Sequence, residues 1–194
     1  MGGTIIEDIE HAATATHVVA GERGASIKRT AKLMIGICVT SNIVGINWLG
    51  RSGKKRAFLP CDDFLLLADA NAERRYQFKM TETMKRSTNL REASSTLLNG
   101  QGVFVCKGIT GKTAPPANEL KLIVNAAGGT WLPYASRLKG HSGDDAIIIT
   151  SDPPEKTQLS SKDVAAAIKR GVRHLTIGWL FHAVISQEVD YDWK

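Results

Sequence analysis

The chain of 194 residues carries 25 basic and 19 acidic side chains, which gives a net charge of +6 at neutral pH. No apolar stretch reaches the roughly 18 residues that a membrane span requires, and the first residues lack the basic-then-apolar pattern of a secretion signal. The cysteines Cys38, Cys61 and Cys106 form no Cys-x-x-Cys pair, which favours reduced thiols in the cytosol or nucleus over a zinc site or a disulfide framework.

The first part of the chain has the pattern of a small parallel sheet with helices on its faces. In chain order, the pattern predicts strands at 4–6 and 17–20, a helix over 26–38, a strand at 42–46 and a short helix that carries Trp48. Ser26 is placed to cap the first helix and Asn47 the second.

The middle of the chain, residues 69–100, is polar and charged. Apolar residues around Met80 and Met84 predict a helix over 79–86 that is anchored by their contacts. Residues 87–95 are the best candidate for a flexible stretch.

The last part of the chain repeats the pattern in a longer form. It predicts strands at 102–109, 130–132, 146–150 and 174–177, and helices at 117–127, 160–171 and 179–185. Ser160 and Asp163 stand in capping-box positions for the second of these helices. Residues 134–144 form a mostly polar loop.

Two Gly-Gly-Thr segments and two tryptophans recur in the same order, which indicates two copies of one module. The strand and helix at 102–127 precede the second Gly-Gly-Thr, whereas nothing comparable precedes the first. The first module is therefore predicted to lack its opening strand and helix. The predicted domains are a first module at 1–70, a linker with a short helix at 71–100 and a second module at 101–194.

This arrangement resembles the BRCT fold in tandem, and the similarity covers nearly the whole chain. Residues 29–34, Trp48-Leu49, 57–60 and 63–64 resemble the phosphopeptide-binding class. Within that class, the order of Phe58-Leu59-Pro60, Asp62-Asp63, Asp69 and Phe78 resembles the type found in mediators of the DNA damage checkpoint. The resemblance implies an α/β fold of two BRCT modules docked in tandem, each a small parallel β-sheet flanked by helices.

The resemblance also implies a binding site. In the family, a Ser or Thr hydroxyl, a backbone N–H and a Lys at the start of the second helix hold a phosphoserine, and Lys32 matches that Lys. Arg29 matches the Arg that binds the +3 residue or the terminal carboxylate of the peptide, and Met34 matches the wall of the +3 groove. The weaker candidates are Lys28, Thr110 and Pro115. The hydroxyl would lie on the strand that the first module lacks.

The residue types suit this role independently of the family. On a helix, Arg29 and Lys32 would share a face and could contact one extended ligand. A phosphoserine carries nearly two negative charges, which suit Lys as a point charge, and Arg offers a planar fork to a carboxylate.

The leading hypothesis is therefore a nuclear, non-enzymatic reader of phosphoserine peptides in the DNA damage response, with the phosphorylated C-terminal tail of a variant core histone as its partner. No catalytic motif, cofactor, metal site, membrane contact or small-molecule substrate is expected. One alternative is a DNA-binding pair that uses the basic residues Arg51, Lys54, Lys55 and Arg56. Another is a phosphate-independent scaffold that binds partners through the linker helix.

Overall fold

The computed structural model describes residues 2–21, 25–109 and 114–193. The chain divides into two compact units, Met1–Ser95 with Val184–Glu188 and Thr96–Ala183 with Val189–Lys194. The division into two modules and a linker at 71–100 stays a prediction. None of the described helices combines the length and the apolar character that crossing a bilayer requires.

The first unit contains, within its described residues, a small parallel sheet with helices around it. Its strands and helices are β1 (Val18–Ala20), α1 (Ala31–Val39), β2 (Ile43–Gly45), α2 (Asn47–Lys55), α3 (Ala70–Tyr76) and α4 (Met80–Glu92). β1 and β2 pair in parallel, with Val18 opposite Ile43 and Ala20 opposite Gly45. The strands predicted at 17–20 and 42–46 are thus confirmed in shortened form.

The core of the first unit lies between α1, the sheet, α3 and α4. Its buried members are Ile27, Leu33, Ile37, Ile43, Ala72, Phe78, Met80, Met84 and Ile185. A smaller cluster of Val44, Trp48 and Phe64 packs under α2. Met80 and Met84 therefore anchor α4 as predicted.

The helix predicted over residues 26–38 begins only at Ala31. Thr30 is its N-cap, and the Thr30 hydroxyl accepts the N–H of Leu33 at 3.2 Å. The Ser26 hydroxyl instead donates to Asp69 at 2.6 Å, so Ser26 cannot serve as the cap. The prediction that Arg29 and Lys32 share a helix face is wrong, because Arg29 precedes the helix.

The strand predicted at residues 4–6 is not formed. These residues carry no strand assignment, and the side chain of Ile5 is 84% exposed. A short β-branched run gains stability only from a neighbouring strand, and no described strand pairs with this one.

The segment predicted to be flexible, residues 87–95, is largely helical. α4 continues to Glu92, where the prediction ended it at residue 86. The buried Ser87 hydroxyl donates to the carbonyl of Ile37, and the Arg91 guanidinium donates to Ser41 and Ser87. These polar contacts hold the end of α4, and a polar sequence alone gives no sign of them.

The second unit contains a four-stranded parallel sheet within its described residues. Its strands and helices are β3 (Gly102–Val105), α5 (Ala117–Ala126), β4 (Thr130–Leu132), β5 (Ala146–Thr150), α6 (Lys156–Ser160), α7 (Lys162–Lys169), β6 (Arg173–Thr176) and α8 (Ile177–Ser186), the last of which ends in residues of the first unit. The strand order is β4-β3-β5-β6. The strands predicted for this part are confirmed, and β3 is shorter than predicted.

The capping predicted for the helix at 160–171 is wrong. A capping box forms one helix earlier, where Glu155 and Gln158 exchange hydrogen bonds around the start of α6. α7 then begins at Lys162 after Ser161, whose side chain makes no cap hydrogen bond.

The two units repeat one order of elements, as the sequence predicts. β1, α1, β2 and α2 correspond to β5, α7, β6 and α8, and both strand pairs are parallel. The indole N–H of Trp48 donates to the carbonyl of Leu59 at 2.9 Å, and that of Trp179 to Asp190 at 2.6 Å, each eleven residues further along. The opening strand and helix, β3 and α5, have no counterpart among the described residues of the first unit.

Substitution of glycine by alanine is expected to have opposite effects at two helical positions of the first unit. A methyl group built on Gly36 would overlap Cγ2 of Val18, whereas one on Gly53 would meet nothing within 4 Å. Gly36→Ala is therefore expected to destabilise the fold by about 1–3 kcal/mol through overpacking. Gly53→Ala should stabilise it by up to about 1 kcal/mol through helix propensity. Urea unfolding of both variants measures this, and shifts of the same sign would contradict the close packing of α1 on β1.

Candidate phosphate-binding site

The start of α1 offers backbone donors to an external acceptor. The first N–H groups of any helix lack an acceptor within the helix. Thr30 accepts the N–H of Leu33, and Met34 makes the first helical bond, to the Thr30 carbonyl at 3.0 Å. The N–H groups of Ala31 and Lys32 have no acceptor among the residues that the structure describes. The partial positive charge of a helix N-terminus makes such a position suitable for an anion.

Three cationic side chains lie at this same end of α1. Lys28 and Lys32 are exposed and Arg29 is half-buried. The first turn contains no acidic residue. Cations at a helix N-terminus are unfavourable because they repel the positive end of the helix dipole. An anionic ligand would relieve this repulsion.

Lys32 is the second residue of α1, and its ammonium group donates a hydrogen bond to the carbonyl of Glu7. The segment before β1 therefore lies beside the start of the helix. Asp8 belongs to this segment, and the pKa of its carboxyl is lowered, mainly by the hydrogen bond from His11 and weakly by the charge of Lys32. The sequence predicted the exposure of Lys32 to a ligand but not this contact.

Arg29 is held against Tyr76, the last residue of α3. Its guanidinium carbon lies 5.0 Å from the centre of the Tyr76 ring, and its backbone N–H donates to the Tyr76 hydroxyl at 3.3 Å. Burial lowers the pKa of Arg29, and the neighbouring Arg75 lowers it further. Arg75 lies over the same ring at 5.4 Å. This aromatic support is a part of the site that the sequence pattern did not reveal.

Asp69 fixes the extended segment that carries Lys28 and Arg29. One of its carboxylate oxygens accepts the Ser26 hydroxyl at 2.6 Å and the Ala72 N–H at 2.9 Å, and the other accepts the Ile27 N–H at 2.8 Å. Asp69 is also the N-cap of α3. A single carboxylate thus ties the start of α3 to the residues before α1.

The remaining predicted site residues are less well placed. Met34 is only 2% exposed, so it presents almost no surface to a ligand in this structure. Pro115 is half-buried and belongs to the second unit. Thr110 lies outside the described residues. The roles of Met34, Pro115 and Thr110 therefore stay predictions.

The second unit has the opposite charge at the corresponding position. Asp163 is the second residue of α7, where Lys32 stands in α1. Its carboxylate lies 3.9 Å from the ammonium of Lys139. The carboxylate suits the positive end of the helix dipole and would repel a phosphate. A lysine at the second helical position is thus present in α1 and absent from α7.

Cys38 and Cys106 are poorly suited to nucleophilic chemistry. Burial raises the pKa of the Cys38 and Cys106 thiols to about 11, so both are protonated at neutral pH. The described residues also contain no group of three or more His, Cys, Asp or Glu side chains that could hold a metal ion.

Two units with parallel sheets, flanking helices and one repeated order of elements define a tandem BRCT fold. The crystal structure of the S. pombe Brc1 BRCT5-BRCT6 domains is similar over 98% of this chain and 92% of that chain, with a TM-score of 0.68 and 21% sequence identity. At this identity the likeness shows the fold, which is the fold that the sequence predicted. No protein-family model matches the chain.

The curated relatives are named for the DNA damage checkpoint and for interaction with PAX. Mediator of DNA damage checkpoint protein 1 of Macaca mulatta is 29% identical over 126 residues, which is 65% of this chain and 5% of that protein. PAX-interacting protein 1 of Bos taurus is 26% identical over 197 residues, which is 99% of this chain and 18% of that protein. The chain therefore spans a small part of the relatives it matches.

Proposed function

We propose that the chain reads phosphoserine peptides in the DNA damage response, in the nucleus, and that it has no catalytic activity. Its proposed ligand is the phosphorylated C-terminal tail of a variant core histone. The similarity to mediator of DNA damage checkpoint protein 1 supports a role in the DNA damage response. The observation that carries the proposal is the combination, at the start of α1, of the exposed Lys32 ammonium group with the N–H groups of Ala31 and Lys32.

The phosphate is proposed to bind at the N-terminus of α1. Its oxygens would accept hydrogen bonds from the N–H groups of Ala31 and Lys32 and from the Lys32 ammonium group. The ammonium group would then exchange a neutral partner, the Glu7 carbonyl, for a charged one. Hydrogen bonds between charged groups are shorter and stronger than those to a neutral carbonyl. The exchange therefore favours the phosphate over the internal contact.

Arg29 is proposed to bind the peptide beyond the phosphoserine. Its guanidinium is supported from one side by the Tyr76 ring, and the segment that carries it is fixed by Asp69. A supported guanidinium loses less side-chain freedom when it binds a carboxylate. This suits a ligand that ends in a free carboxylate, as the C-terminal tail of a protein does.

The proposal predicts that binding depends on the phosphate. A fluorescent serine-containing peptide with a free C-terminus should bind at least about tenfold more tightly when its serine is phosphorylated, because one charge-assisted hydrogen bond contributes about 1.5–3 kcal/mol. Fluorescence anisotropy of the full chain with both peptides measures this. Amidating the C-terminus of the phosphopeptide separates the contribution of Arg29 from that of Lys32. Equal affinity for the phosphorylated and unphosphorylated peptides would end the proposal.

A further inference from the structure

Helix α2 and the residues that flank it carry several exposed large hydrophobic side chains. Only Trp48 and Ser52 are buried in this helix. The large hydrophobic side chains of Ile46, Leu49 and Phe58 are 40%, 44% and 48% exposed, and they make up half of the exposed large hydrophobic residues in the described parts of the chain. Such a concentration within one short stretch is typical of an interaction surface.

The same helix ends in a group of cations. Arg51, Lys54, Lys55 and Arg56 follow one another with no acidic residue between positions 47 and 61. None of the ion pairs within the described residues involves them. Lys54 and Lys55 stand in the last turn, where they complement the helix dipole. Their ammonium groups remain available to a negatively charged partner.

The apolar part of the surface is held in place. The Phe58 ring stacks on the buried Trp48 indole with 5.5 Å between centroids and 15° between planes. The indole is fixed in turn by its hydrogen bond to Leu59. Ile46 and Leu49 are three residues apart and therefore neighbours on the outward face of the helix. Gly50 and Gly53 add no side chain to that face, so a partner could approach the backbone closely.

We propose that the α2 patch, formed by Ile46, Leu49, Arg51, Lys54, Lys55 and Phe58, binds an acidic segment of a partner protein. The segment would carry aliphatic or aromatic side chains between its carboxylates. Charge complementarity selects an anionic partner. The aliphatic side chains favour a peptide over nucleic acid, because a phosphate backbone offers no apolar surface to cover Ile46 and Leu49. The α2 patch shares no residue with the proposed phosphate site at the start of α1, and its proposed ligand needs no phosphoserine.

The test uses the full chain and three labelled synthetic peptides. In the first peptide, aspartate and glutamate alternate with leucine and phenylalanine. The second peptide replaces the apolar residues by serine, and the third replaces the acids by their amides. We expect the first peptide to bind most tightly in fluorescence anisotropy. Lys54→Glu with Lys55→Glu should weaken its binding by about tenfold or more, and Leu49→Ser by about fivefold.

Two variants outside the patch serve as controls. Leu67→Ser removes a side chain that is 45% exposed, and Lys85→Glu reverses an exposed charge on α4. Both should leave the affinity for the first peptide unchanged. A short DNA duplex is the remaining probe. Tighter binding to the duplex than to the first peptide, with no effect of Leu49→Ser, would overturn the proposal in favour of a nucleic-acid surface. Equal binding of the first and second peptides, or binding of none, would also overturn it.

Discussion

Replacing Lys32 by methionine is expected to remove most of the preference for a phosphorylated peptide. Methionine keeps an unbranched side chain of similar length but lacks the ammonium group that would meet the phosphate at the start of α1. The loss of one charge-assisted hydrogen bond, about 1.5–3 kcal/mol, corresponds to a roughly tenfold to hundredfold weaker affinity for the phosphopeptide. The affinity for the unphosphorylated peptide should stay the same. Anisotropy titrations with both peptides give the two numbers.

The fold should tolerate this substitution, because the Lys32 side chain is exposed and its hydrogen bond is to a backbone carbonyl of an exposed segment. Lys85→Met, on the exposed side of α4, is the matched control and should leave both affinities unchanged. Lys32→Arg keeps the charge and should retain part of the preference. If Lys32→Met discriminates between the two peptides as well as the unmodified chain does, then Lys32 is not in the phosphate site.

The repeated architecture could be predicted from the sequence because it depends on local patterns. β4, β5 and α5 are bounded by glycines and prolines and filled with β-branched or helix-forming residues, and they lie where the pattern placed them. The parallel roles of Trp48 and Trp179 follow from their equal positions in the two copies. Local signals of this kind need no knowledge of the rest of the chain.

The candidate site could be predicted only in part, because its geometry depends on contacts between distant residues. Ser26 has the chemistry of a helix cap, but its hydroxyl is bound by Asp69, which lies 43 residues away. Thr30 caps the helix instead, so α1 begins at Ala31 and Arg29 lies before it. The Arg29 side chain was expected to be positioned by the helix itself. It is positioned instead by Tyr76, which lies 47 residues away in the sequence. The sequence pattern identified the cationic side chains of the site but not the contacts with Asp69 and Tyr76 that position them.

Replacing Asp69 by alanine is expected to destabilise the first unit by about 2–4 kcal/mol, since the carboxylate accepts three hydrogen bonds and caps α3. Asp62→Ala, at an exposed position in the neighbouring turn, is the matched control and should change the unfolding free energy by less than about 0.5 kcal/mol. Urea unfolding at neutral pH measures both. The phosphopeptide should also bind less tightly to Asp69→Ala, because the segment that carries Lys28 and Arg29 loses its attachment.

The pH dependence of the unfolding free energy distinguishes the effect of the Asp69 charge from the effect of the shape of its side chain. Burial raises the pKa of Asp69, but the hydrogen bonds that its carboxylate accepts from Ser26, Ala72 and Ile27 outweigh it, so the pKa is lowered on folding. A lowered pKa means that the ionised group stabilises the fold above its unfolded pKa, at roughly pH 4, and that this contribution disappears as the pH falls through the folded value. The stability difference between the unmodified chain and Asp69→Asn should therefore be constant near neutral pH and shrink below about pH 4. A difference that grows on acidification, or an unfolding free energy that Asp69→Ala leaves unchanged, would show that this carboxylate does not hold the site together.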